Sequence, residues 1–309
     1  MKRVLIALGG NALLRTDEEQ TYSNQYKNIS NAARHIAGLI RKNKSMKLII
    51  THGNGPQVGD EFLRNLFAAN KVKSLPFHII NAETQAFIGS MLETALLYQF
   101  AQLGIERDIS VVLTHTIVGS NDAAFSKPTK PIGPLYTTRQ LEQELRRERF
   151  SYSRFGNKYR RVIASPAPIE VVEHDQIQRL FDSGTIVIAG GGGGIPVYRS
   201  KGIKYAPPSV IDKDFTSRLI ANSIFAEQMV ILTDIDYVYR DLNDKSTRIG
   251  RASISGLEKM IPNFGEGTMK PKVKACIDFI RHGGTIANIG LLEHIDEVIE
   301  GRSGTIITK

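Results

Sequence analysis

An α/β sandwich with a mostly parallel sheet and helices on both faces is the fold that this 309-residue sequence predicts. Three observations carry that prediction. Short apolar runs alternate with stretches of helical periodicity along the whole chain, the pattern of repeated βα units. The strand-like runs are apolar without polar alternation, as strands covered on both faces must be. Four of them end in glycine-bearing or acidic loops, and an open parallel sheet gathers ligands beyond the carboxyl ends of its strands.

In chain order, residues 4–8 read as an apolar strand that stops at Gly9-Gly10-Asn11. A helix over 25–41 follows, because Ile29, Ala32, Ala33, Ile36, Ala37 and Ile40 share one face. A second strand, 48–51, runs into His52-Gly53-Asn54-Gly55-Pro56, the same kind of loop as the first. Helices are expected over 62–69 and over 81–99, the latter with Phe87, Met91, Ala95 and Leu96 at helical spacing and a break at Gly104; 111–114 is a third strand. Residues 119–136 lose periodicity and carry Pro128, Lys130, Pro131, Gly133 and Pro134, the mark of an ordered excursion or a lid. Thr137 and Gln140 form a capping box that opens a charged helix, and 155–162 reads as another surface excursion.

The second half repeats the theme. A helix over 173–182 stops at Gly184, and an apolar strand at 185–189 ends in five consecutive glycines, 190–194. Val197-Tyr198-Arg199 and Ile203-Lys204-Tyr205 flank a turn and predict a hairpin. Asp212, Lys213 and Asp214 stand together before a helix over 214–225 with Leu219, Ile220 and Ile224 inward. A strand at 229–232 ends at Thr233-Asp234, a helix over 272–280 stops at Gly283-Gly284, and 286–289 and 305–307 are the last strands.

Composition narrows the function. The chain is 41% hydrophobic, has no long apolar run able to cross a bilayer, and begins Met1-Lys2-Arg3 directly before a strand rather than as a signal peptide. With Cys276 as its single cysteine, neither an internal disulfide framework nor a thiolate metal cluster can form, so the cytoplasm is the expected compartment. The net charge of +9 suits a small polyanion such as ATP as well as it suits nucleic acid. Much of the excess alternates with acids, the pattern of a solvated helix face, so neither a nucleic acid nor a membrane is expected as a partner.

The chemistry points to phosphoryl transfer. There is no GxxxxGK[ST] motif, the glycine tract lacks the early strand-helix context of a dinucleotide fingerprint, and the HRD and DFG motifs are absent. Transfer between oxyanions needs cations and N–H donors around the moving phosphoryl, with Mg²⁺ held mainly through nucleotide phosphates. Lys130, Lys213 and Lys272 are the candidate clamps and Asp214 their orienting acid. Lys130 and Lys272 read equally as solvated lysines, whereas Lys213 lies between two acids after an apolar pair. His52 reads as a turn residue and His115 as a core one; no nucleophilic pair and no metal-ligand spacing presents itself.

The segments LIALGGNALL (5–14), THGNGPQVG (51–59), NDAAFSKPTKPIGPLY (121–136), RRVIASPAP (160–168), AGGGGGIPV (189–197) and VIDKD (210–214) resemble carbamate kinase, in the amino acid kinase superfamily. The resemblance implies a three-layer αβα sandwich over 1–309, with 121–157 as an inserted protruding subdomain, 1–184 mainly an acceptor lobe and 185–309 mainly a nucleotide lobe. It implies a homodimer in arginine or agmatine catabolism, interconverting ATP plus carbamate with ADP plus carbamoyl phosphate, with Mg²⁺. Gly9, Gly10, Asn11, Gly53, Asn54 and Gly55 would surround carbamate; Lys130, Lys213 and Lys272 would neutralise the transferring group, with Asp214 orienting them. Gly191, Gly192, Gly193, Asp212, Asp234, Tyr239, Met269 and Lys272 would serve the nucleotide. Where many superfamily members have a lysine two residues before the glycine pair, this chain has Ala7, and Lys130 would substitute for it from the lid. Lys270 in TMKPK stands where the common pattern has glycine, and adds a charge near the phosphates. The competing readings are a superfamily kinase acting on another small acid or phosphate, which a substrate panel separates, and a non-catalytic binding protein, which salt-sensitive nucleic-acid binding would favour.

Overall fold

In the computed structural model, residues 2–10, 13, 18–140, 142, 151–264 and 269–309 are described. The central sheet has eight strands, in the order Arg251–Ser253, Thr305–Thr308, Ile286–Leu291, Gln228–Thr233, Arg3–Leu8, Lys47–His52, Ile186–Ile188 and Ile109–Val111. All neighbours are parallel except the pair Ile286–Leu291 and Thr305–Thr308. The first strand shows why its sequence is uniformly apolar. Val4, Ile6 and Leu8 pack into one core with the helices Tyr22–Lys42 and Phe77–Leu103, while Leu5 and Ala7 pack into the other with Lys213–Ser223 and Met269–Arg281. Helices therefore cover both faces, giving the expected three layers.

The four strands singled out by their loops, Gln228–Thr233, Arg3–Leu8, Lys47–His52 and Ile186–Ile188, are consecutive neighbours at the centre of the sheet and run parallel. Their carboxyl ends thus share one edge, and that edge carries the site.

Several local expectations change. The predicted helix at 81–99 is the middle of a longer one, Phe77–Leu103, ended by Gly104 in the left-handed region (φ 62°). Phe87 is 38% exposed on its outer side, where its ring meets Tyr22, rather than in the core. Inside Lys213–Ser223, Thr216 and Ser217 are buried while Leu219 is only partly so, because this helix turns a polar face to the glycine tract.

The aperiodic excursion is a three-stranded antiparallel sheet, Lys130–Tyr136, Lys158–Ile163 and Ser151–Phe155, with the second of these in the middle. Its central strand lies beyond residue 157. Proline and glycine hide the first strand in the sequence, yet it is an edge strand and its register shifts between Ile132 and Leu135, where those residues are tolerated. Thr137 and Gln140 exchange the reciprocal bonds of a capping box, Thr137 N to Gln140 Oε1 at 2.8 Å and Gln140 N to Thr137 Oγ1 at 3.3 Å. Residues 141 and 143–150 of the charged helix that this box was expected to open lie outside the described residues. A further sheet, Gly202–Tyr205, Ile195–Ser200, His115–Val118 and Pro168–Val171, contains the predicted hairpin.

Candidate active site

A cleft of about 200 Å³ lies beyond the shared strand edge. Three helices begin at it: Gly55–Ala68, Lys213–Ser223 and Met269–Arg281 contribute Gly55, Lys213 with Asp214, and Pro271 with Lys272 to its wall. Each of these ends carries the positive end of a helix dipole, a setting that favours an anion.

The three candidate lysines converge here, held by two acids. Lys213 Nζ donates to Asp214 Oδ1 at 2.6 Å and Lys272 Nζ to Asp214 Oδ2 at 3.0 Å, so one carboxylate is shared by two ammonium groups. Asp214 is 2% exposed and Lys213 8%. Burial acts to raise the Asp214 carboxyl, but Lys213 and Lys272 more than offset it and hold it well below the usual carboxylate range. Burial draws the Lys213 ammonium below the ordinary lysine value, against the pull of Asp214. Lys272 is also subject to burial, yet Asp214 outweighs it and leaves this ammonium above the ordinary value.

Lys130 reaches the same cleft from the antiparallel sheet, its Nζ donating to Asp212 Oδ2 at 2.7 Å. Asp212 is the cap of the helix Lys213–Ser223, its Oδ1 accepting from Asp214 N at 3.1 Å. One acid thus starts the helix that aims Lys213 and also holds Lys130 beside it. Asp212, expected on the nucleotide side, is the counterpart for Lys130 that Asp214 is for the other two lysines.

The glycine tract is a crossing point of elements. At Gly192, with φ +59°, a Cβ would fall 2.2 Å from the Asn54 side chain, so only glycine allows Asn54 to lie over the tract. Asn54 is steadied in turn by donating from Nδ2 to Thr84 Oγ1 at 2.9 Å. Thr116 and Thr216 both donate to Gly193 O at 2.8 Å, and Thr114 Oγ1 accepts from Gly190 N at 2.8 Å. Thr84, Thr116 and Thr216 carry no sequence signal beyond their apolar neighbours, and this scaffold role was missed.

Of the expected residues, Gly10, Gly53, Asn54, Gly55, Lys130, Gly192, Asp212, Lys213, Asp214 and Lys272 line the one cleft. Gly9 is buried behind it, its N–H donating to Leu232 O at 2.9 Å. Gly191 and Gly193 are buried and outside the cleft wall. Asp234 is exposed and lies within electrostatic reach of Lys272; Met269 packs against the second core. Tyr239 is 6% exposed, donates its hydroxyl to Asp236 Oδ1 at 2.9 Å and is outside the cleft wall. Lys270 is partly buried and outside the cleft wall, and Asn11 lies outside the described residues. His52 is buried, with Nδ1 2.9 Å from Gly53 O, and burial pushes it down to about 4, so it sits neutral under the loop. Burial raises the Cys276 thiol, which is enclosed in the core and is no nucleophile.

The amino acid kinase family profile matches residues 2–289. The carbamate kinase of Staphylococcus haemolyticus is 38% identical over 317 residues, covering 100% of both chains. The chain belongs to the carbamate kinase family. The family member from Pyrococcus horikoshii is likewise 38% identical, over 99% of each chain. Among solved structures, the carbamate kinase from Giardia lamblia bound to AMP-PNP superposes with a TM-score of 0.91 at 33% identity, covering 100% of this chain and 98% of that one. The likeness to these carbamate kinases extends over the central sheet and the segments that build the cleft. Among the described residues, no helix is long and apolar enough to cross a membrane.

Proposed function

We propose that this chain transfers a phosphoryl group directly between ATP and carbamate, giving ADP and carbamoyl phosphate, in the cleft bounded by Lys130, Lys213 and Lys272. The observation that carries the reading is the sharing of Asp214 by Lys213 and Lys272 with Lys130 held on the neighbouring Asp212. Three ammonium groups against two carboxylates leave one positive charge in excess at the meeting of three helix N-termini. Such an arrangement stabilises charge spread over the equatorial oxygens of a phosphoryl in transit without supplying a nucleophile.

In this reading Asp214 is the positioning residue. It keeps two lysines charged and aimed in a buried place where an unpaired ammonium would tend to lose its proton. Lys130 has a side chain 34% exposed and sits on a separate sheet, which suits it to follow the acceptor phosphate and exchange Asp212 for it. Gly10, Gly53 and Gly55 offer backbone approach on the acceptor side, with Asn54 steadied by Thr84. Asp234 and the start of Met269–Arg281 lie toward the nucleotide.

Among the described residues no group of three His, Cys, Asp or Glu could hold a metal ion, and both acids of the cleft are engaged by lysines. The fit to Mg²⁺ is therefore one in which nucleotide phosphates supply most ligands. When bound, the ion would offset phosphate charge that the lysines do not reach.

The family likeness supports direct transfer within a dimeric enzyme of arginine or agmatine breakdown, and among the described residues the two carboxylates at the cleft are engaged by lysines rather than free to attack. The acceptor is tested by offering ADP with carbamoyl phosphate, acetyl phosphate and acyl phosphates of amino acids in turn. Carbamoyl phosphate should give ATP at least about a hundredfold faster than the others. A preference for another acyl phosphate would move the chain to a different acceptor.

A further inference from the structure

Carbamate differs from acetate, and from the carboxyl groups of amino acids, in what it bears beside its carboxylate: a planar NH2 that donates two hydrogens and, its lone pair lost to conjugation, accepts none. A site that selects it needs a fixed acceptor at that place, one that cannot turn and present a donor instead. Around the cleft most acceptors are already taken. The carbonyls of Gly10, Gly53 and Asn54 accept from Leu13 N at 3.0 Å, His52 Nδ1 at 2.9 Å and Val58 N at 2.9 Å. The Asp212 and Asp214 carboxylates are held by lysines.

The Asn54 carboxamide is the exception, and a residue outside the cleft wall decides which of its ends faces in. Thr84, 1% exposed, lies within the helix Phe77–Leu103, and its Oγ1 stands 3.0 Å from both Ile80 O and Asn81 O, carbonyls that can only accept. A hydroxyl has one hydrogen, so toward Asn54 it is an acceptor, and the atom 2.9 Å away must be the amide nitrogen Nδ2. Branching at Cβ and the bonds back to the preceding turn hold Thr84 in place. The carboxamide also lies against Gly192, where a Cβ has no room. Asn54 does not cap its own helix, and among the described residues nothing donates to its Oδ1. That atom is not sealed off either, so it opens on the cleft that Asn54 lines.

We propose that Asn54 Oδ1 accepts an N–H of the carbamoyl group, and that Thr84, by fixing the carboxamide, is the positioning residue for the choice of carbamate over acyl groups that end in carbon. The inference rests on the function proposed above and names how that site recognises its substrate. Thr84→Val keeps the shape and removes the hydroxyl. Nδ2 then has no acceptor, neither orientation of the carboxamide is preferred, and its amide end, when turned inward, opposes the substrate NH2.

One test needs no variant. Phosphonoacetamide and acetonylphosphonate differ only in NH2 against CH3, and their inhibition constants against carbamoyl phosphate in the ATP-forming assay compare the two groups at one place. Phosphonoacetamide should inhibit at least about tenfold more tightly; equal constants would overturn the proposal. The second test is kcat/KM for carbamoyl phosphate and for acetyl phosphate in the wild type, Thr84→Val and Thr84→Ser. The ratio of the two should fall at least about tenfold in Thr84→Val, through the carbamoyl value alone, and Thr84→Ser, which keeps the hydroxyl, should hold it within about threefold. Thr84→Ala, better suited to a helix, should give the same fall and serves if the valine variant does not fold. A merely structural role for Thr84 would lower both values together, and an unchanged ratio would overturn the assignment. A wild type that forms ATP from carbamoyl phosphate no faster than from acetyl phosphate would instead refute the proposed function, and this inference with it.

Discussion

Replacing Asp214 with asparagine removes the carboxylate that two enclosed ammonium groups share, at 2.6 Å from Lys213 and 3.0 Å from Lys272. The side chain keeps its size, so the perturbation is electrostatic. Removing one partner of a buried ion pair costs about 3–5 kcal/mol, and here two cations lose the same partner. The loss is limited because Lys213, already drawn below the ordinary lysine value by burial, can shed its proton. At roughly 2–4 °C for each kcal/mol in a chain of this class, the melting temperature should fall by roughly 6–20 °C. Activity should fall more steeply, by about 10²-fold in kcat, since the two donors lose both aim and charge. The sign of the pH effect is also defined: Asp214 raises the pKa of both lysines, so its removal moves the alkaline limb of the rate profile to lower pH. Thermal unfolding and ATP-forming rates from pH 6 to 10 would measure all three. A variant with a melting temperature within about 2 °C of wild type and an unmoved alkaline limb would refute the claim that Asp214 keeps the lysines charged.

Lys130→Met should lower kcat/KM for carbamoyl phosphate by about 10²-fold while costing less than about 1 kcal/mol of stability, since the pair with Asp212 is partly solvated. Matched losses in rate and in stability would show it to be structural. Gly59→Ala places a Cβ 2.6 Å from Gly133 N, where the helix Gly55–Ala68 crosses the strand Lys130–Tyr136. It should cost about 1–3 kcal/mol and raise amide exchange in that strand; protection equal to wild type would remove the crossing from the account. His52, neutral and enclosed with its pKa near 4 against 6.5, favours the unfolded state once protonation becomes possible. Its contribution should lower stability by about 3 kcal/mol as pH falls from 6.5 to 4, with no such change above 6.5. Urea unfolding of His52→Asn alongside wild type checks this, and parallel pH curves for the two would contradict it.

The central sheet is legible in the sequence because a strand covered on both faces must be apolar throughout, as residues 4–8 are. Loop chemistry marks the strand ends, and parallel pairing then gathers those ends at one edge, so Lys130, Lys213 and Lys272 could be nominated before their distances were known. The antiparallel sheet is not legible, since Pro131, Gly133 and Pro134 contradict strand propensity and only edge placement reconciles them. Nor is the partner of Lys130: Asp212 is 82 positions away, and nothing local distinguishes a helix cap from a counter-ion that is also a cap. The glycine tract draws attention through composition, yet its tightest demand is steric, at Gly192 beneath Asn54.

The central claim is that the buried Lys213, held by Asp214, is a clamp for the phosphoryl group. Its most direct test is the rate of ATP formation from ADP, Mg²⁺ and carbamoyl phosphate for wild type and Lys213→Ala at matched folded concentration. The account predicts ready turnover by the wild type and a kcat reduced by at least about 10²-fold in the variant. Equal rates in the two, or no ATP from either, would contradict it.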